Sequence, residues 1–299
     1  MQDLLIFFSN PPLIVQAILN GLVIGGLFSL VAYGLALVWG VMNIINVAQG
    51  EFVILGAYVT FYFAKTGYSP LWSIPLSMAV LYLIGWLVYR TIIFRIIDRD
   101  LFTSLLATFG ISILLQQLMN LAFGADVQIV DAHLPTLFIM DHAVAIPVIR
   151  LISFILAFVI AAVMVLFLKR SRLGQAIRAT AQNERAAKIL GVNTQRVYAS
   201  TFAINAAICG GAGALVAMTF SIHPYIGLPY TVRSFMIVIF AGIGNFSGVI
   251  LSAFALGSLE EIADFVLGAE FRLAFIFSLL VIVLVWRNWR LGKKREYLK

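Results

Sequence analysis

The chain has 299 residues, of which 62% are hydrophobic and only 11% charged, and it carries a formal net charge of +7. Its mean hydropathy of +1.03 excludes an ordinary soluble domain and places most of the chain in lipid. The apolar runs do not alternate with polar residues, so the crossings are expected to be helices rather than barrel strands.

No charge occurs at any of the 47 positions between Asp3 and Glu51. A helix needs about 20 apolar residues to cross the hydrocarbon core, so this stretch, continued to Ala64, suits two spans. Asp3, with no Lys or Arg, precedes the first run, which therefore lacks the basic start of a cleaved signal peptide and is expected to stay. Further uncharged runs cover residues 71–89, 101–123, 151–168, 197–222, 234–259 and 273–286. The expected fold is an all-α polytopic membrane protein of about eight hydrophobic segments, forming a single transmembrane domain over residues 1–299.

Orientation follows from the basic residues. Arg90, Arg95 and Arg99 lie in one loop, seven Lys and Arg residues in the 169–196 loop, and six in the tail from Arg287 to Lys299, together 16 of the 20. Such loops stay cytoplasmic. The acidic stretches, 124–148 with Asp126, Asp131 and Asp141, and 257–272 with Glu260, Glu261, Asp264 and Glu270, are expected outside. The N-terminus is then outside and the C-terminus inside. The positive charge is a topology signal and not a nucleic-acid footprint.

Counting crossings exposes a parity problem. Six spans bring the chain outside near His223, and the last span must start outside near Arg272, so residues 234–259 must enter and return. Gly242, Gly244, Asn245, Ser247 and Gly248 at their centre fit a broken or re-entrant segment. In the first half, Asn43, Asn46 and Gln49 interrupt an apolar run immediately before Glu51. Paired polar, glycine-bearing interruptions mark the translocation sites of broken-helix transporters, which makes these nine residues the candidate translocation pathway. Other readings fit too. Gly244-x3-Gly248 and Gly21-x3-Gly25 suit close helix approach, and Ala203, Ala207, Gly210, Ala214 and Ala217 read as packing. Asn43, Asn46 and Gln49 suit capping or bridging of helices somewhat better than solute contact. Glu51 is either an intramembrane carboxylate facing a cavity or a residue at the cytoplasmic mouth.

Residues 174–196 form a basic, amphipathic, helix-sized segment between two spans. On a helix, Arg178, Gln182, Arg185 and Lys188 share one face, Ala176, Thr180, Asn183, Ala187 and Leu190 another, and Gly191 fits a left-handed stop. Docking to a cytoplasmic partner and lying on anionic headgroups both suit this pattern. Catalytic chemistry has no foothold. Cys209 is the only cysteine and lies mid-span, and His133, His142 and His223 fall in expected external loops without metal-like spacing. No G-x4-G-K-[ST] phosphate loop exists, so the chain is not a P-loop ATPase by itself.

Three motifs carry a resemblance. Arg178-Ala179, Asn183, Ala186-Ala187, Gly191-Val192-Asn193, Arg196-Val197 and Phe202, followed by Gly210-Gly211-Ala212-Gly213, resemble the cytoplasmic coupling loop and next span of bacterial ATP-binding cassette (ABC) importer permeases of the branched-chain amino acid type. Ile45-Asn46-Val47-Ala48-Gln49-Gly50-Glu51 with Leu55-Gly56-Ala57-Tyr58 is similar to that family's first-half signature, and Phe240-Ala241-Gly242-Ile243-Gly244 with Gly248 to its second-half signature. Gln49 stands where many members have His, and Ala241 where many have Gly. The resemblance implies a permease subunit in the bacterial inner membrane that imports branched-chain or related amino acids. Urea, short amides or another small polar solute are the alternatives within the family. It further implies a second homologous permease, two cytoplasmic ATPase subunits that hydrolyse ATP, an external solute-binding protein, and no cofactor in this chain. Residues 169–196 become the loop with the coupling helix, using Arg178, Ala179, Asn183, Glu184, Ala186, Ala187, Gly191, Asn193 and Arg196. The competing class is a self-sufficient ion-coupled transporter or channel centred on Glu51.

Overall fold

The computed structural model describes residues 11–296, apart from 98, 133, 140–143 and 243. Among them the chain forms α1 (Pro11–Met42), α2 (Gln49–Ala64), α3 (Ser73–Thr91) and α4 (Leu101–Phe123). A hairpin of β1 (Thr136–Ile139) and β2 (Val144–Pro147) precedes α5 (Val148–Arg170). The short α6 (Arg172–Gln182) and α7 (Glu184–Ile189) then lead to α8 (Thr194–Thr219), α9 (Gly227–Ala241), α10 (Phe246–Leu267) and α11 (Arg272–Glu296). This is an all-α, multi-pass membrane architecture. The helices α1, α4, α5 and α8, together with α3 and its flanking turns, are each long and apolar enough to cross a bilayer.

Short polar side chains set where helices begin. The side chains of Asp100, Ser171, Asn183, Asn193 and Asn245 accept from backbone N–H groups at the starts of α4, α6, α7, α8 and α10. Each satisfies a donor that the first turn leaves unpaired. The Thr103 hydroxyl donates to Asp100 at 2.5 Å, and this bond, with the Thr103 backbone N–H, holds the Asp100 carboxyl below the usual carboxylate range.

Helix α8 is the axis of the bundle. Its apolar stretch is wholly buried, that of α1 nearly so, whereas α3, α4 and α5 keep long exposed faces. Small residues allow this. A Cβ on Gly210 of α8 would lie 2.6 Å from the Ser77 carbonyl oxygen on α3, and one on Gly56 of α2 would lie 2.7 Å from the Gly210 Cα. The Ser77 hydroxyl sits 3.0 Å from the Gly56 carbonyl and 2.9 Å from that of Gly210, joining three helices at one atom. Gly21 and Gly25 serve α1 and α10 in the same way: their added Cβ atoms would come within 2.5 Å of the Ser258 Cα and 2.7 Å of the Ala253 carbonyl. For that glycine pair, close helix approach is the reading the geometry supports.

The structure redraws several sequence expectations. Residues 234–259 divide between α9 and α10, separated by Gly242 to Asn245. The acidic 257–272 stretch is not a loop, because α10 meets no breaking residue until Gly268, where φ reaches +90°. Glu260, Glu261 and Asp264 therefore lie on a helix. The 124–148 stretch contains a two-stranded hairpin with Thr136 opposite Pro147. Gln16 of α1 pins it by donating to the Ala145 carbonyl at 3.0 Å and accepting from its N–H at 2.9 Å.

Overpacking predicts sharp position dependence. Gly257→Leu and Gly213→Leu should lower the thermal midpoint of the detergent-purified protein, by a loss of at least about 1–3 kcal/mol. Gly110→Ala, with no atom near its added Cβ, should leave the midpoint unchanged or raise it slightly.

Candidate functional site

The first interruption, between Met42 and Gln49, is folded into the protein. Asn43 alone stays exposed, in a left-handed turn at φ +53°. The Asn46 amide donates to the Gln49 side-chain oxygen at 3.1 Å. Gln49 Nε2 lies 3.0 Å from the Val31 carbonyl, 3.0 Å from Asn205 Oδ1 and 3.1 Å from Cys209 Sγ, linking α1, α2 and α8. Gly34 makes room for this knot, since a Cβ there would fall on Asn205 Oδ1. Thr231 of α9 closes the far side, accepting from Gly50 N–H at 2.8 Å and donating to the Val47 carbonyl at 3.0 Å.

Glu51 is buried, with 1% of its surface exposed. It lies in the first turn of α2, where a carboxylate faces unpaired N–H groups, and it packs against Gly227 of α9. Three buried atoms here, Asn46 Oδ1, Asn205 Nδ2 and Glu51 Oε2, have no hydrogen-bond partner among the described residues.

The second interruption is built differently. Gly242 and Gly244 take φ +83° with open space around them, so they serve backbone direction and not helix contact. Gly244 and Asn245 are exposed, and Asn245 caps α10 through Gly248 N–H at 3.1 Å. The Ser247 side chain and Ile243 lie outside the described residues, as do His133 and His142. The structure therefore places Asn46, Gln49 and Glu51 in a buried knot, leaves Asn43 exposed at its edge, and sets Gly242, Gly244 and Asn245 in an open break. The break shares a cavity of about 530 Å³ with Gly40, Lys169, Arg178 and Gln182.

The 174–196 segment is an elbow and not one helix. Asn183 adopts an extended conformation (φ −158°, ψ 103°) and its side chain caps α7, ending the register that would have aligned Arg178 with Arg185 and Lys188. The inward face comprises Gly174, Ile177, Thr180 and Ala187, while Leu190 points outward. Arg178 donates to the Leu168 carbonyl at the end of α5, fastening α6 back onto the bundle. Gly191 takes φ +85°, with its N–H on the Lys188 carbonyl and that of Val192 on Ala187, both at 3.0 Å. This paired left-handed stop leaves Ile189 86% and Leu190 82% exposed. Glu184 pairs with Lys188 at 2.6 Å along α7. Ala179 and Ala186 are exposed, and Asn193 and Arg196 open the next helix.

One feature escaped the sequence reading. Arg233 on α9 forms a buried ion pair with Glu260 on α10, its Nε 3.0 and 2.9 Å from the two carboxylate oxygens. The guanidinium also lies 4.9 Å from the Phe28 ring centroid. The signal was available, because Arg233 is the single charge between Arg196 and Glu260, and a charge at membrane depth needs a partner.

The family described as branched-chain amino acid transport system / permease component matches residues 17–285. The high-affinity branched-chain amino acid transport system permease protein LivH of Escherichia coli K12 is 29% identical, over 90% of this chain and 92% of LivH. BraD of Pseudomonas aeruginosa, which bears the same description, is 30% identical over 91% and 93%. The E. coli permease LivM is 32% identical over 40% of this chain and 28% of its own length. No solved structure gives a significant match.

Breaking the buried pair separates its roles. Arg233→Met and Glu260→Leu should each destabilise by about 3–5 kcal/mol, while the two combined should recover most of the loss. A double-mutant cycle of thermal midpoints measures this.

Proposed function

Because the chain belongs to the family of branched-chain amino acid transport permease components, we propose that it is one permease subunit of an ATP-driven importer in the bacterial inner membrane. Branched-chain or related amino acids are its first-ranked solutes. It works beside a second, homologous permease, two cytoplasmic ATPase subunits and an external solute-binding protein. The match to both LivH and LivM supports pairing of related permeases. Arg90, Arg95 and Arg196 gathered around one cavity support a single basic, cytoplasmic end. Asp126, Asp131 and the hairpin then face the binding protein.

The observation that carries the coupling role is the α6–α7 elbow. Two large apolar side chains, Ile189 and Leu190, project from its tip, and a left-handed glycine fixes their direction. Apolar groups so exposed in a polar loop are a contact surface. The elbow is also mechanically attached, through Arg178 and Gly174 against Leu168 of α5, and it shares the 530 Å³ cavity with the Gly244–Asn245 break. Movement imposed on the tip by ATPase closure reaches the end of α5 and the open break together. The buried knot ties α2 to α1, α8 and α9, so that movement of α2 requires its hydrogen bonds to exchange together.

Leu190→Asp and Gly191→Pro should abolish uptake and solute-stimulated ATP hydrolysis in the reconstituted assembly, with membrane insertion retained. Normal stimulation in both variants would remove the docking assignment. Gln49→Leu strands Asn46 and Asn205 and should reduce uptake at least tenfold while ATPase subunits still co-purify.

A further inference from the structure

At the end of the bundle bearing the elbow, a cavity of about 750 Å³ opens between the end of α3 and the start of α8. Three arginines, Arg90, Arg95 and Arg196, line it with Trp86, Phe94 and Gln195. The ion pairs Glu184–Lys188 and Arg233–Glu260 leave these three guanidiniums aside, and no carboxylate among the described residues pairs with them. The nearby Asp100 carboxylate is turned to Thr103 at its own helix start. Three like charges around one space repel each other, and an anion between them relieves the repulsion. Guanidinium forks match phosphate oxygens in geometry as well as charge.

The walls identify the kind of anion. Trp86 and Phe94 are exposed, and the Arg90 guanidinium carbon lies 5.9 Å from the Trp86 ring centroid. Leu76, Leu83 and Leu87, at i, i+7 and i+11 on α3, form an exposed apolar stripe running along the helix toward the cavity. Such a stripe is covered by acyl chains, and a tryptophan at its end marks the headgroup level. We propose that this cavity is a binding site for the phosphodiester headgroup of an anionic diacyl phospholipid in the inner leaflet, whose acyl chains lie along α3. The inner-leaflet assignment rests on the topology given under Proposed function. Arg196 lies in the first turn of α8, directly after the elbow. A bound headgroup therefore braces the elbow's exit against α3.

The test uses the full chain in detergent, delipidated and then supplied with phosphatidylglycerol or phosphatidylcholine, with native mass spectrometry reading what is retained. Phosphatidylglycerol should be held selectively, about fivefold less for each Arg→Gln variant and on the order of 100-fold less for Arg90→Gln/Arg95→Gln/Arg196→Gln. The triple Arg→Lys variant keeps the charge and should keep most of the lipid. Equal retention of the two lipids, undiminished retention in the triple Gln variant, or equal loss in the triple Lys variant would overturn the site. Displacement by millimolar inorganic phosphate would mean a free-anion site and would overturn it as well. Reaction of Gln195→Cys with an impermeant maleimide, in intact cells or inverted vesicles, reports the side independently. Labelling only from outside would overturn the topology and the inner-leaflet assignment, whereas inside labelling without lipid retention would overturn the site alone.

Discussion

Everything in this bundle depends on how closely backbones approach α8. Lipid chains are as apolar as leucine, so burial from water does not hold spans together, and shape and hydrogen bonding must. Gly56, Gly210 and Gly213 remove the side chains that would keep α2, α3 and α8 apart. Only at that distance can the Ser77 hydroxyl touch two carbonyl oxygens on different helices, and only there does Gln49 reach Asn205 and Cys209. The polar knot is a product of the small-residue packing and adds direction to it. Glycines let the helices meet, and the amides fix which residues meet.

The two interruptions are built on opposite plans. One is buried, polar and hydrogen-bonded to four neighbouring helices, α1, α4, α8 and α9; the other is exposed at Gly244 and Asn245, with open space around its glycines. A break whose glycines have space around them can turn without expelling neighbours, while a knot bonded on several sides can shift only if its bonds exchange together. The elbow sits beside the open break and not the knot, so the less constrained interruption is the one nearest Ile189 and Leu190.

Much of this was legible in the sequence, and the failures have physical causes. Asn43, Gly242 and Gly244 mark the helix breaks because asparagine and glycine tolerate the left-handed backbone that ends a helix, and Asn245 marks the restart of α10 because its side chain caps the first turn. Gly191 announces its stop for the same local reason. The elbow at Asn183 was missed because an asparagine inside a helical pattern reads equally as a surface residue or as a cap, and only the chain's turn decides. Glu260 was placed in a loop because three acids close together look solvated; its partner Arg233 stands 27 residues away, beyond any local pattern. The surroundings of Gln49 and Glu51 include Asn205 and Gly227 from distant helices, which no local spacing discloses.

The Arg233–Glu260 pair also bears on biogenesis. A lone arginine at the centre of an apolar helix costs about 2.5–3.5 kcal/mol on insertion scales, and the 15 residues of α9 are fewer than the roughly 20 that a crossing needs. Its neutralising carboxylate is synthesised 27 positions later, after the Gly242–Asn245 turn has formed the hairpin. The favourable unit to leave the insertion channel is therefore α9 together with α10. The membrane must wait for Glu260 before it can accept Arg233, which makes the order of translation part of how this fold is assembled.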